Sequence, residues 1–365
     1  MRLTIAILTL LVVGNNNVFA QGGASAPKYS NEFLAIGIGA RAMAMSNACV
    51  ASSQDVTAGY WNPANLTFIK NDLQIGAMHA EYFGGIAKFD FGAVAKPIDS
   101  LSALSFSFIR FGVDNIPNTT ELIDNEGNIN YDRITEFSAA DHAFILSYAR
   151  KLKGIDFRYG ANFKVVYRKV GDFARSWGFG LDAGATYIHK GFIFSAFARD
   201  ITSTFNAWSF NLNDRTKEVF LQTGNEIPQN SLEVTLPRLI LAAARKFDIK
   251  KFSVQPEINF DFTFDGKRNV LLPGKPVSFD PHLGLEAGYN NIIFLRAGLG
   301  NVQRIVEQNG SEKLVMQPTI GAGVRIKRLY IDYALTNIAG QLPLFTNVFS
   351  LKLEIVKLPT SRSSL

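Results

Sequence analysis

From Phe252 to Asp265 every second residue is apolar. Phe252, Val254, Pro256, Ile258, Phe260, Phe262 and Phe264 share one face, and Ser253, Gln255, Glu257, Asn259, Asp261, Thr263 and Asp265 share the other. Successive strand side chains point to opposite sides, so this period predicts a strand with one oily face and one acidic, polar face. The pattern recurs: Phe157, Tyr159, Ala161, Phe163, Val165 and Tyr167 oppose Asp156, Arg158, Gly160, Asn162, Lys164 and Arg168. Near the end of the chain Phe349, Leu351, Leu353 and Ile355 oppose Ser350, Lys352 and Glu354.

The alternation predicts about fourteen strands, near 73–82, 86–96, 101–113, 137–150, 155–170, 176–189, 192–200, 236–247, 251–264, 279–289, 292–300, 314–327, 329–336 and 346–357. Most exceed the roughly 9 to 11 tilted residues that cross a bilayer. Alternate links are tight and polar: 97–100, 151–154, 189–191, 248–250, 290–291 and 327–328. The others are mostly longer, notably 114–136 and 201–235. Short turns at one end and long loops at the other are the signature of an all-β, transmembrane antiparallel barrel in an outer membrane. Its oily face meets lipid, its termini are expected on the periplasmic side and its long loops outside. Asp90, Arg158, Lys164, Asp182, Glu257, Asp261, Glu286 and Arg325 are then expected in the lumen. Pro256, Pro281 and Pro318 should each weaken the ladder locally, because proline lacks the amide donor.

Composition agrees. Residues 1–20 combine Arg2, an apolar run from Leu3 to Val13 and Val18-Phe19-Ala20, and read as a secretory signal peptide too short for a spanning helix. The single cysteine, Cys49, excludes an intramolecular disulfide and reads as a small buried side chain. A net charge of +6 over 365 residues is modest and spread along the chain, which leaves no nucleic-acid footprint. His79, His142, His189 and His282 lack metal-ligand spacing and no Gly-x-Ser-x-Gly elbow occurs, so no enzyme, metal or cofactor is expected. The acidic stretch 124–132 offers oxygen ligands, but its glycine is misplaced for a calcium loop and it reads as a solvated hairpin tip.

Between the leader and the first strand, residues 21–72 are rich in small and apolar types and predict a hatch that fills the lumen, ahead of a barrel at 73–357 and a polar tail at 358–365. Gly39, Ala40, Arg41, Ala42 and Met43, then Asp55, then Trp61, Asn62, Pro63 and Ala64 form its distinctive pattern. Pro63 fixes its own backbone and biases Asn62 toward an extended conformation, leaving the Asn62 amide free to bond neighbouring backbone. This stretch resembles the N-terminal region of the PorV/PorQ family of Bacteroidetes outer-membrane proteins, relatives of the FadL-type channels. Ser46 and Cys49 depart from that pattern at positions often held by glycine.

The resemblance implies fourteen strands, a hatch with an Asn-Pro-Ala element at Asn62 to Ala64, and a non-enzymatic part in type IX secretion. Its implied partners are secretion components and exported cargo proteins. The alternative is a FadL-like diffusion channel for a hydrophobic small molecule. Phe205, Trp208, Phe210, Phe220 and Leu221, all in the 201–235 loop, are the candidate partner-contact residues.

Overall fold

The computed structural model describes residues 30–123, 126–306, 310–336 and 345–356. The expected leader and polar tail lie outside the described residues. The strands are β1 Leu73–Tyr82, β2 Ala87–Pro97, β3 Ser102–Asn118, β4 Thr135–Lys151, β5 Phe157–Val170, β6 Ala174–His189, β7 Phe192–Arg199, β8 Thr204–Phe210, β9 Ser231–Thr235, β10 Arg238–Arg245, β11 Phe247–Ile249, β12 Phe252–Thr263, β13 Ser278–Tyr289, β14 Ile293–Val306, β15 Glu312–Ile326, β16 Leu329–Thr336 and β17 Thr346–Ile355. β17 pairs back onto β1, from Leu73 opposite Ile355 to Glu81 opposite Asn347, so the sheet closes.

Fourteen of these make the wall. β11 prolongs β10 along β12, while β8 and β9 form a ribbon that continues β7 and β10 upward. The stretch 201–235, expected as a loop, therefore holds two strands and a helix. The reason lies at Asp200 and Ser203, both at positive φ: β6 pairs first with β7 and then, across an irregular step, with β8. That step breaks the alternation where a sequence reader looks for continuity. The tight links form as expected; at Asn290–Asn291 both residues take positive φ, as a two-residue hairpin turn requires.

Inward and outward faces follow the alternation on most strands. On β12, Glu257, Asn259 and Thr263 are buried inside; on β5, Arg158, Asn162 and Lys164 are. Phe163, Phe179, Leu285, Leu295, Phe349 and Leu351 face out. Asp90 is the exception and corrects the expectation above. On β2 the inward residues are Phe89, Phe91, Ala93 and Ala95, and Asp90 points outward. Inside, Phe89 packs with Tyr82 and Phe111. Outside, Asp90 meets His79 Nδ1 at 2.7 Å and Arg110 at 3.6 Å.

The register explains why this is tolerated. One cross-strand row runs Tyr333, Phe349, His79, Asp90, Arg110, His142, Tyr167, Trp177. Aromatic side chains hold both ends of that row, which marks it as the interfacial girdle and not the hydrocarbon zone.

The β12–β13 ladder runs unbroken past Pro256 and Pro281, and Pro318 pairs with Leu299 inside β14–β15, but two of the prolines mark the end of a pairing on their other side. Pro256 lies beside the break between β10 and β11, and Pro281 lies beyond the last β13–β14 pair at Leu283. The wall assignment predicts that Phe163→Arg, on the outer face of β5, lowers folding free energy in a bilayer by about 2–4 kcal/mol. Urea unfolding in lipid vesicles measures it. A cost no larger than that of Asp90→Ala would mean that Phe163 does not face lipid.

Candidate functional site

Inside the ring, residues 30–72 fold into a hatch. Helix α1 spans Ala40–Ala44, α2 spans Ala58–Trp61, and a 3-10 turn spans Pro63–Phe68. Asn62 starts that turn in an extended conformation, with Pro63 at its first position, and its Oδ1 accepts from the Ala64 N–H at 3.1 Å. Its Nδ2 donates to Thr186 Oγ1 on β6 at 3.0 Å, which ties the turn to the wall. Trp61 donates to the Ile38 carbonyl at 3.0 Å and so joins the two ends of the hatch.

The glycine-rich pattern has a similar explanation. The Gly39 N–H donates to Met78 Sδ and the Ala40 N–H to Ser350 Oγ at 2.7 Å, while Ala42 and Met43 are buried. Close approach is possible because the wall itself carries glycine. A Cβ on Gly298 would strike the backbone of Met45 and Ser46, and one on Gly184 would strike the Asn62 amide.

Two ionic anchors hold the middle of the hatch. Arg41 donates to both Glu286 oxygens, at 2.8 and 3.2 Å, and Glu286 also accepts from Arg296, which reaches Asp332 at 2.7 Å. Asp55 accepts from Lys352 at 2.9 Å and from the Thr57 N–H and hydroxyl. In addition, the Ala51 and Ser52 N–H groups donate to Glu257 at 2.7 and 3.0 Å. Cys49 is fully buried, and burial, with Glu257 nearby, pushes its thiol well above the ordinary value.

The hatch runs between the two ends of the barrel. Residue 72 leads into β1 at the turn end. At the loop end Ser30 and Asn31 bond Thr235, and Glu32 pairs with Arg268 at 2.9 Å. The start of the described chain therefore sits at the loop end.

Above the hatch the loop end offers two cavities of opposite chemistry. One is a vestibule of about 460 Å³ under the rim of β7 to β16, with a floor that includes Met43, Val50 and Trp61 and walls of polar and charged side chains. The other is an aromatic cleft of about 690 Å³ between the tops of β3 to β6 and the β8–β9 ribbon. Phe137, Phe173, Trp208, Phe210 and Phe220 line it. Trp208 stacks on Phe210 and donates to Glu233 at 2.8 Å, and Arg168 reaches the same carboxylate at 3.1 Å. Phe220 arrives on helix α3, Asp214–Gln222, whose first turn is capped by Asn213 accepting from the Thr216 N–H.

Of the five expected loop contacts the cleft thus collects Trp208, Phe210 and Phe220. Phe205 lies on the opposite face of β8 and Leu221 points into solvent. Phe137 and Phe173 escaped sequence reasoning, since each looked like one more strand aromatic. Among the described residues no cluster of three His, Cys, Asp or Glu side chains is arranged for a metal, and positions 124 and 125 of the acidic stretch lie outside them.

The Asp55 anchor carries a pH dependence. Burial alone would raise this carboxyl, but the Lys352 ammonium and the Thr57 donors override it and hold it below the usual carboxylate range. A depressed pKa gives stability that is complete above the unfolded value, near 3.9, and fades as pH falls through the lower folded value. Between about pH 5 and pH 8 the thermal midpoint should owe no change to this group. Asp55→Asn leaves Lys352 without its counter-charge and should destabilise by about 3–5 kcal/mol, with easier proteolysis of residues 30–72. An unchanged midpoint and cleavage rate would remove Asp55 as an anchor.

No curated protein sequence matches the chain significantly. Among solved structures, the CymD monoaromatic hydrocarbon channel superposes with a TM-score of 0.56 at 11% identity, over 88% of this chain and 98% of that one. The Pseudomonas putida toluene transporter TodX gives 0.52 at 15%, over 88% and 99%. A Pseudomonas aeruginosa FadL homologue gives 0.50 at 12%, over 86% and 97%. At these identities the likeness shows the fold, that of a FadL-like outer-membrane barrel. Residues 25–230 match the family described as type IX secretion system protein PorV, and with more than half of its length matched the chain belongs to the PorV family.

Proposed function

We propose that this chain is a non-enzymatic outer-membrane component of type IX secretion that holds exported proteins at its loop end. Its turn end would face the periplasm and its loop end the outside. The observation that carries this reading is the aromatic cleft, a concave patch where Phe137, Phe173, Trp208, Phe210 and Phe220 converge beside the Arg168–Glu233 pair. Interface hot spots concentrate in such places: large aromatics in a pocket, rimmed by polar groups. The fixed hatch favours binding over conduction, because Arg41, Asp55 and Asn62 tether it to three different parts of the wall.

A second reading, diffusion of a hydrophobic small molecule, draws on the fold likeness and on a groove of about 750 Å³ in the outer wall. Pro256, Leu283, Leu285, Leu299 and Pro318 are among its lining residues. Against it stands the charged lining of the vestibule, which an apolar solute would have to cross.

Affinity isolation from native outer membranes, with an unrelated barrel as control, separates the two. The parent protein should recover secretion components and exported proteins, and Trp208→Ala with Phe220→Ala should reduce recovery of the exported proteins at least tenfold, as expected for two hot-spot aromatics at about 2 kcal/mol each. Recovery of neither class, together with faster entry of a hydrophobic dye into vesicles containing the protein, would replace the secretion reading with the channel.

A further inference from the structure

Among the described residues, the vestibule holds hydrogen-bond acceptors that no donor answers. On β12 and β13, Asp261 lies directly opposite Asp280, and Asn259 opposite His282, all on the inward face. Two carboxylates in direct cross-strand register repel each other. Arg238 answers Asp261 at 3.8 Å, while Asp280 Oδ2 meets only the His282 imidazole, at 3.4 Å. Asp280 Oδ1 is buried without a partner. So is Oδ1 of Asn259, a residue only 1% exposed whose amide is held by a bond from Nδ2 to the Asn47 carbonyl at 3.1 Å.

The other cations of the lining are committed elsewhere. Arg199 donates to the Leu34 carbonyl at 2.8 Å and lies over the Tyr60 ring, and Arg268 is spent on Asp265 and Glu32. A buried acceptor left unmatched costs about 1–3 kcal/mol, and more when charged. The deficit on this wall is therefore one of hydrogen-bond donors, at Asp280 Oδ1 and Asn259 Oδ1.

We propose that the vestibule is a binding site for an organic ammonium ion, its N–H groups meeting Asp280 Oδ1 and Asn259 Oδ1 and its carbon chain resting on Met43, Val50 and Trp61. An ammonium carries three donors and no acceptor, which complements this wall. A carboxylate would add a third negative charge beside Asp261 and Asp280, and a hydrocarbon would leave both orphan oxygens unmatched. A cavity of about 460 Å³ is roomy for a bare metal ion and suits an alkyl chain over an apolar floor. A small free amine and a lysine side chain reaching in from the loop end present the same chemistry. The proposal does not rest on the secretion reading.

Titration calorimetry on the full-length protein in detergent micelles tests it, with n-butylammonium chloride, sodium butyrate and 1-butanol as probes at matched ionic strength. Saturable binding of the ammonium alone is expected. It should weaken at least tenfold in Asp280→Asn and in Asn259→Ala and stay unchanged in Asp248→Asn, a turn-end control. Heat-modifiable gel migration checks that each variant keeps its barrel, and if one does not, the other carries the test. A lysine-bearing tetrapeptide compared with its norleucine counterpart distinguishes the sources: selective binding of the lysine peptide supports a side-chain ligand, and binding of n-butylammonium alone supports a free amine. Absence of saturable ammonium binding, equal binding of butyrate or butanol, or affinity unchanged in every folded variant of the pair would overturn the proposal.

Discussion

Lipid offers no partner to a backbone amide, and the rest of this structure follows from that constraint. A sheet in hydrocarbon must close on itself, and here β17 does so against β1. Closure creates a lumen, and one of fourteen strands is too wide for wall side chains to fill alone. Residues 30–72 occupy it. Their own polar backbone is then buried, so the wall has to supply partners: Ser350 to the Ala40 N–H, Glu257 to Ala51 and Ser52, and Thr319 to the Ser46 N–H and the Ala44 carbonyl. The polar inward face that alternation revealed is thus the complement of a second chain segment and not simply a lining for water.

That distinction sets what the sequence could and could not reveal. Strand existence was legible because lipid and lumen impose opposite demands on successive residues; Phe157 to Tyr167 on β5 needs no other information. Asp90 was misplaced because the same period of two fits either polarity, and only the register with Phe349 and His142 shows that this part of the wall stands at the girdle. The ribbon of β8 and β9 was hidden by the irregular step at Asp200 to Ser203. Among the hatch residues, local chemistry foretold the Asn62–Pro63 turn, since its geometry depends on neighbours in sequence. The partnership of Arg41 with Glu286, 245 residues apart, is a product of tertiary closure and leaves no trace in spacing.

The loop end separates two environments by strand position. Tryptophan and phenylalanine gather over β3 to β6, where the ribbon and α3 lean across, while carboxylates and amides gather under β12 and β13. Arg168 and Glu233 form the polar margin of the first, and Arg199 and Arg268 tie the hatch's entry to the second. A partner that covers the mouth could therefore bury apolar side chains on one side and present hydrogen-bond donors on the other, with orientation enforced by the difference between them.

The fold likeness to hydrocarbon channels sharpens the question of what a shared barrel transmits. Fold alone does not assign a ligand, because the path is made by side chains. Here the outer groove beside Pro256 and Pro318 is apolar, yet the wall behind it is backed at Gly284 and Gly298 by Met45 and Ser46. Those glycines bring the hatch so close that the ladder break at Pro256 leads onto packed hatch atoms, while the one at Pro281 lies beside the vestibule. Lateral exit would require the hatch to withdraw from β13 and β14, and Arg41, held between Glu286 and Ser52, opposes that movement directly. In this chain the barrel thus holds a hatch packed against the wall beneath the two cavities of the loop end.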